Sequence, residues 1–313
     1  PIPSPLDMPN VPYNQELELN YPPFCHPNLV ESLSLESTNL QPADLQSINQ
    51  GNTATVISCF YKIKSKYHYT DYIRWMGNLL PNIHRANLII FTSADQAPVL
   101  EQFLKEKQNV KIIIRELEDL EIVKKYNAIW DDQYKKDPTP HIRTKECYMI
   151  WNSKMSLVAE AITMNPFGSD KFVWNDIGSM RDSRYAMQYY TTFSKYPIYE
   201  NVGASKDKLD IVLIKPFENK EQIIFQNEVH LAGAIFGGSS EVFIKVIDLF
   251  YRNFDMYLEK GYFIGCDQQI LATCYQQQPE LFNLVIPDYS DRIIDQWFYL
   301  YHYYSQPKPT PVQ

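Results

Sequence analysis

Between residues 53 and 115, three short β-branched runs alternate with two amphipathic stretches, and this alternation constrains the fold more than any other feature of the chain. Thr53 to Phe60, Asn87 to Thr92 and Val110 to Arg115 read as strands, rich in Val, Ile and Phe. Helices are expected over about 70–80, closed by Pro81, and over 97–107. Strands that alternate with helices of this length lie parallel, joined by crossovers, in a sheet covered on both faces. Further along, Leu117 to Asp131 reads as one helix and Lys145 to Met164 as a longer one. Strands follow from Lys171, over 210–215 and over 229–238, then a helix over 239–260 and another opening at Asp267. A last strand near 283–286 precedes an aromatic tail, Trp297 to Tyr304. The expected class is therefore α/β: a central, mostly parallel sheet flanked by helices, forming a single domain over 51–313. Residues 1–50, rich in Pro, Asn, Ser and Gln and without periodicity, read as an extended N-terminal arm or linker.

Charge and cysteine content narrow the function classes. A formal net charge of −8 and the absence of a long basic run argue against a general nucleic-acid binder, which needs clustered Lys and Arg against phosphate. No apolar run approaches the roughly 18 residues of a membrane-spanning helix. The five cysteines, Cys25, Cys59, Cys147, Cys266 and Cys274, match neither a zinc spacing nor a disulfide framework and read as reduced thiols. With no Asn-x-Ser/Thr acceptor in the chain, the expected location is cytoplasmic. The 23 tyrosines supply stacking faces with a polar tip, although most are accounted for as core and surface filler.

Chemistry concentrates in Lys171-Phe172-Val173-Trp174-Asn175-Asp176-Ile177-Gly178-Ser179-Met180-Arg181, an apolar run that breaks into Asn-Asp and then Gly. It reads as a buried strand delivering one carboxylate at its C-terminal end, where open α/β sheets bind ligands, with Arg181 and Arg184 just beyond. An ordinary strand-turn boundary has the same appearance. Lys154, in the middle of the apolar stripe of the 145–164 helix, has two readings: a stem that packs while its ammonium reaches solvent, or a cation aimed into a cleft at a diphosphate or at Asp176. Gly233, Gly237 and Gly238 bring three of the chain's 10 glycines into six residues, as expected where backbone approaches something closely or turns sharply. Asp267 stands where a helix N-cap belongs, which by itself explains an Asp. His230, within a strand, reads as structural. No glycine-rich phosphate loop joins the first strand to its helix, so neither a dinucleotide fingerprint nor a P-loop is present.

Taken in order, the βαβαβ start, the acidic strand end Trp174-Asn175-Asp176-Ile177-Gly178, the Gly237-Gly238 strand end and the helix opening Asp267-Gln268-Gln269 resemble the GT-A glycosyltransferases. More narrowly, with Thr55 to Phe60, Asn152-Ser153-Lys154 and Leu231 to Gly238 added, the chain resembles the HtrL/YibB-like family over about residues 53–290. The resemblance implies a GT-A-like (Rossmann-like) fold and a nucleotide-sugar-dependent hexosyl- or pentosyltransferase, with a nucleotide-sugar donor and a glycan or other hydroxyl acceptor as partners. In such enzymes a strand-end Asp-x-Asp binds a divalent metal, usually Mn2+, which neutralises the leaving diphosphate. Here Asp176 takes the place of the metal-binding acid and Trp174 stands where the first Asp would be. Lys154, Arg181 or Arg184 offer an alternative positive charge.

The same resemblance makes Asp267 the catalytic general base that takes the acceptor hydroxyl proton, as in inverting relatives, or a donor-sugar contact together with Gln268, as in retaining ones. It implies Lys154, Asn175, Asp176, Arg181, Gly237, Gly238 and Gln268 as donor-binding residues, and Asp176 with His302 as metal ligands. A lone His in an aromatic tail is more often packed than liganding. A second reading is a non-catalytic nucleotide- or carbohydrate-binding module of the same fold. A third, a nucleotidyltransferase, calls for a glycine-rich basic loop after the first strand, and Tyr61-Lys62-Ile63-Lys64 supplies the basic residues without the glycine.

Overall fold

A computed structural model describes residues 53–181, 195–205, 207–288 and 296–307. The N-terminal arm and Arg184 lie outside the described residues. Seven strands form one sheet: β1 (Thr55–Phe60), β2 (Asn87–Thr92), β3 (Val110–Ile114), β4 (Lys171–Asn175), β5 (Leu209–Leu213), β6 (Leu231–Ser239) and β7 (Phe282–Val285), in the order β3-β2-β1-β4-β6-β5-β7. β1 pairs in parallel with β2 and β4, β2 with β3, and β5 with β7. β6 runs antiparallel to both β4 and β5. The reason lies in its connection: the 17 residues between β5 and β6 hold no helix to carry the chain back across the sheet, so it returns alongside β5 in the opposite sense.

Both faces of the sheet are covered, as the nearly continuous apolar runs of β1 and β2 require. One core gathers Ile57, Cys59, Phe172, Trp174, Ile211 and Phe236 beneath α5 (Lys145–Met164) and α6 (Ser240–Glu259). The other gathers Val56, Ile90, Val173, Val212 and Ile235 beneath α1 (Tyr69–Leu79), α2 (Ala97–Leu104) and the C-terminal aromatic segment, which includes α8 (Leu300–Ser305). Residues alternate between the two cores along each strand because successive side chains leave a strand on opposite faces.

The architecture is the mostly parallel, helix-flanked sheet expected, and α5 spans the expected residues. The single helix expected over 117–131 is broken instead. A 3-10 turn (Leu117–Asp119) is followed by two short helices, α3 (Glu121–Lys125) and α4 (Trp130–Lys136). Leu117, Leu120, Ile122, Val123, Tyr126, Ile129 and Trp130 are all buried, a set too wide for one helical stripe, and Leu120 takes an extended conformation that lets the segment wrap.

Candidate functional site

Strand β4 decides the geometry. Period-two alternation turns Trp174 towards α5 and Asn175 towards the C-terminal segment, and Asp176, one residue past the strand, points again to the α5 side. Asp176 is anchored by its own N–H, which donates to Ala234 O at 2.8 Å. From α5, Lys154 extends its ammonium into the gap between β4, β6 and α7 (Asp267–Gln277). Its Nζ lies 3.0 Å from Asp176 Oδ1 and 3.0 Å from Asp267 Oδ2, and donates to Gly233 O at 2.8 Å. Trp174 Nε1 donates to Asp176 Oδ1 at 2.8 Å, and Nζ sits 5.9 Å from the centre of the indole. The ammonium of Lys154 thus reaches Asp176 and not solvent.

Exposure divides the three charges into an open and a sealed part. The side chains of Lys154 and Asp267 are 4 % and 7 % exposed, whereas that of Asp176 is 34 % exposed. Burial by itself pulls the Lys154 pKa down, but the negative charges of Asp176 and Asp267 outweigh it, and the net shift is upward. The ammonium therefore stays charged at any physiological pH. Burial pushes the Asp267 carboxyl up, the Lys154 charge opposes that rise and Asp176 adds to it. The ring of charge is thus one cation shared by two acids, with Asp176 as the accessible face.

Asp267 does not cap its helix. The N-cap is Cys266, and Asp267 is the first helical residue, its Oδ1 taking the N–H of Gln268 at 3.0 Å while Oδ2 faces Lys154. What lets it approach is Gly233: a Cβ there would stand 2.7 Å from Asp267 Oδ2 and 3.0 Å from Gln268 Cγ. Gly233→Ala is expected to cost roughly 1–3 kcal/mol by overpacking. Denaturant titration checks this, and an unshifted midpoint would show that the gap between β6 and α7 is slack.

Several expected site residues are placed differently. Gly237 and Gly238 pair with Val173 and Phe172, so Gly237 lies about 10 Å along the strand from the level of Asp176, inside the sheet. A Cβ on Gly237 would meet the Tyr304 hydroxyl at 2.6 Å, and one on Gly238 would meet Val242 Cγ1 at 2.7 Å. Their small size serves packing, and the expectation that they admit a sugar is corrected. Asn175 is corrected likewise, because its side chain is 0 % exposed. Its Nδ2 donates to Tyr301 Oη at 2.8 Å and Ser179 Oγ at 3.0 Å, and its Oδ1 accepts from Tyr196 Oη at 2.9 Å, which ties the turn after β4 to α8. His302 packs against Tyr299, with ring centres 5.4 Å apart, and its Nδ1 lies 3.2 Å from Gln306 Nε2, so its partners lie outside the Lys154 cluster. His230 is structural as expected, stacked on Phe217 at 4.5 Å and bonded to Lys215 O and Glu228.

Gln268 does join the site, half-buried beside Gly233, with Oε1 3.3 Å from Cys266 Sγ. Arg181 lies beyond the turn, its guanidinium carbon 5.0, 5.2 and 5.3 Å from the ring centres of Tyr67, Trp75 and Phe298. Its Nε donates to Gly178 O at 3.0 Å and its Nη1 to Tyr67 Oη at 3.1 Å. Stacking and these bonds fix the plane of an exposed guanidinium.

The protein donors do not fit a divalent metal. Asp176 Oδ1 already carries Trp174 Nε1 and Lys154, Asp176 Oδ2 is 3.3 Å from Nζ, and the Asp267 oxygens face Gln268 N and Lys154. Among the described residues no group of three or more His, Cys, Asp and Glu is arranged to hold a metal ion. Trp174 occupies the position of the missing strand-end acid with a hydrogen-bond donor.

Three contributors went unassigned from sequence. Gly233 was visible among the clustered glycines, but only the pairing of β6 shows which of the three faces Asp267. Tyr301 was one aromatic in a tail. The segment after β1 carries Lys62, Lys64 and Lys66 exposed at every second residue, with Ile63, Ser65 and Tyr67 half-buried between them. As β1 and β4 are parallel neighbours, this loop leaves the same edge of the sheet as Asp176. Lysine at every second position was its available signal.

Comparison with known proteins adds a family. A family model described as "Bacterial protein of unknown function (HtrL_YibB)" matches residues 61–305. No curated protein matches the chain. Among solved structures, the chain is similar to 4-diphosphocytidyl-2C-methyl-D-erythritol synthase from Anaerococcus prevotii DSM 20548, with 10 % identity and a TM-score of 0.36 over 77 % of this chain and 91 % of that one. It is also similar to the PaToxG glycosyltransferase, with 11 % identity and a TM-score of 0.31 over 72 % and 70 %. Among the described residues no helix is long and apolar enough to cross a membrane.

Proposed function

We propose that this chain, which belongs to the HtrL/YibB family, is a nucleotide-sugar-dependent glycosyltransferase that moves a hexose or pentose from its donor to the hydroxyl of a glycan or other acceptor. The observation that carries this reading is a single open carboxylate, Asp176, held by a buried ammonium at the C-terminal edge of the parallel strands. Positive charge stands at the same edge. The oriented Arg181 guanidinium and the exposed Lys62, Lys64 and Lys66 suit the donor's phosphates. In the transfer, the bond from the sugar's anomeric carbon to the diphosphate breaks with its electron pair leaving on the phosphate oxygen. The acceptor oxygen forms the new bond, and its proton passes to a carboxylate, for which Asp176 is the accessible group. Asp267, sealed behind Lys154, acts in this reading by positioning the ammonium.

The test is a panel of nucleotide sugars examined by calorimetry and by donor hydrolysis, with and without Mn2+. One or more donors should bind, and binding should weaken by about tenfold, 1.4 kcal/mol, in Arg181→Ala if a charged hydrogen bond to phosphate is lost. The idea fails if no nucleotide sugar binds or turns over. Binding without turnover towards any acceptor would instead identify a binding module, a reading favoured by the one specific fact that the second carboxylate is sealed from solvent.

A further inference from the structure

We infer that the Lys154 ammonium is the resident cation of this site, filling a three-oxygen position formed by Asp176, Asp267 and Gly233 that would otherwise take a divalent metal. The inference deepens the reading above by naming how the site is charged, and its test needs no donor, so the two can fail separately.

The geometry is that of a cation site tuned to an ammonium. Nζ donates to Gly233 O at 2.8 Å and to Asp176 Oδ2 at 3.3 Å, and stands in ion-pair contact at 3.0 Å with Asp176 Oδ1 and with Asp267 Oδ2, an oxygen that has no other partner among the described residues. All are longer than metal ligation, which for Mg2+ or Ca2+ falls at about 2.0–2.6 Å. These oxygens come from the residue after β4, from α7 and from β6, so the cation bridges two sheet elements and the helix packed beside them. Absence of a side chain at Gly233 is what allows the acid and the carbonyl to converge, since a Cβ would lie 2.7 Å from Asp267 Oδ2. Trp174 supports the same choice. It donates a proton to Asp176 Oδ1, and its ring face accepts the ammonium's charge at 5.9 Å, where a second strand-end carboxylate would have favoured a doubly charged ion. Finally, a lysine in the middle of a 20-residue helix is buried at 4 % exposure only where its charge is matched.

Removing the ammonium while keeping the oxygens should convert the position into a metal site. The experiment titrates Mn2+ into the full chain, followed by calorimetry and by the electron paramagnetic resonance of free Mn2+, for the wild type, Lys154→Ala, Asp176→Asn and Lys154→Ala/Asp176→Asn. The wild type should show no Mn2+ site that depends on Asp176. Lys154→Ala should gain one Mn2+ per chain, bound at least about tenfold more tightly than by the wild type, with a Tm that rises as the metal is added. The double variant should lose that site. Should Lys154→Ala not fold without metal, Mn2+ restores its fold if the position is a cation site and leaves it unfolded if it is not. The inference is overturned by a wild-type chain that binds one Mn2+ abolished by Asp176→Asn. It is equally overturned by a folded Lys154→Ala chain that binds Mn2+ no better than the wild type.

Discussion

Lys154→Met should lower the stability of the fold by roughly 3–5 kcal/mol at neutral pH, because it removes one partner of a buried ion cluster and leaves the other behind. Methionine preserves most of the stem's packing, so the loss reports the charge. The group left uncompensated is Asp267, 7 % exposed, whose carboxyl burial already pushes up against the opposing Lys154 charge. Asp176, a third exposed, is rescued in part by water, and its share of the loss is correspondingly discounted.

The pH dependence follows from the sign of that shift. A carboxyl whose folded pKa is raised above its unfolded value, 3.8 for Asp267, contributes stability that is present below that value and is lost as pH rises through the folded one. Without the lysine the folded value rises further, so the deficit of Lys154→Met should be small in acid and grow as pH climbs past 3.8. Urea titrations across pH 4–7 measure it, and Asp267→Asn in the Lys154→Met background should recover part of the loss. An unchanged midpoint at pH 7 would mean that Lys154 packs only through its stem.

Asp176→Asn should have the opposite profile. Turnover of whichever nucleotide sugar the panel identifies should fall by about 10²–10³, while stability changes by only about 1 kcal/mol. The small structural cost has a specific basis. Asparagine retains a carbonyl oxygen for Trp174 Nε1, and Lys154 keeps both Asp267 and Gly233 O as partners. The large functional cost arises because Asp176 is the open member of the cluster, facing the sheet edge where Arg181 and the β1 loop lysines supply positive charge. Thermal denaturation beside initial rates separates the two effects. A variant that unfolds along with its loss of turnover would assign this acid to the scaffold.

Local patterns made much of the fold and part of the site legible. The α/β class, the bounds of β2 and α5, and the placing of Asp176 at a strand end follow from β-branched runs and helical periodicity, which each segment carries on its own. Periodicity misled over 117–131, where a buried set wider than one stripe broke a helix that local spacing alone would have continued. Lys154 was recognisable as an anomaly in an apolar stripe, but both of its readings had the same sequence.

The sequence by itself determined most of the strands and helices outside 117–131, that strands alternating with helices run parallel, and that one carboxylate leaves the sheet among apolar neighbours. Only the tertiary structure decided that β6 runs against β4. That reversal carries Gly237 and Gly238 into the sheet, away from Asp176, and puts Gly233 beside Asp267. It also decided that Lys154, Asp176 and Asp267, separated by up to 113 residues, share one charge cluster, with Asn175 turned away into the packing around Tyr301. The physical reason is that secondary structure reflects interactions between residues a few positions apart. A buried ammonium, in contrast, is held by oxygens from distant strands and helices, whose meeting is set by sheet order and register.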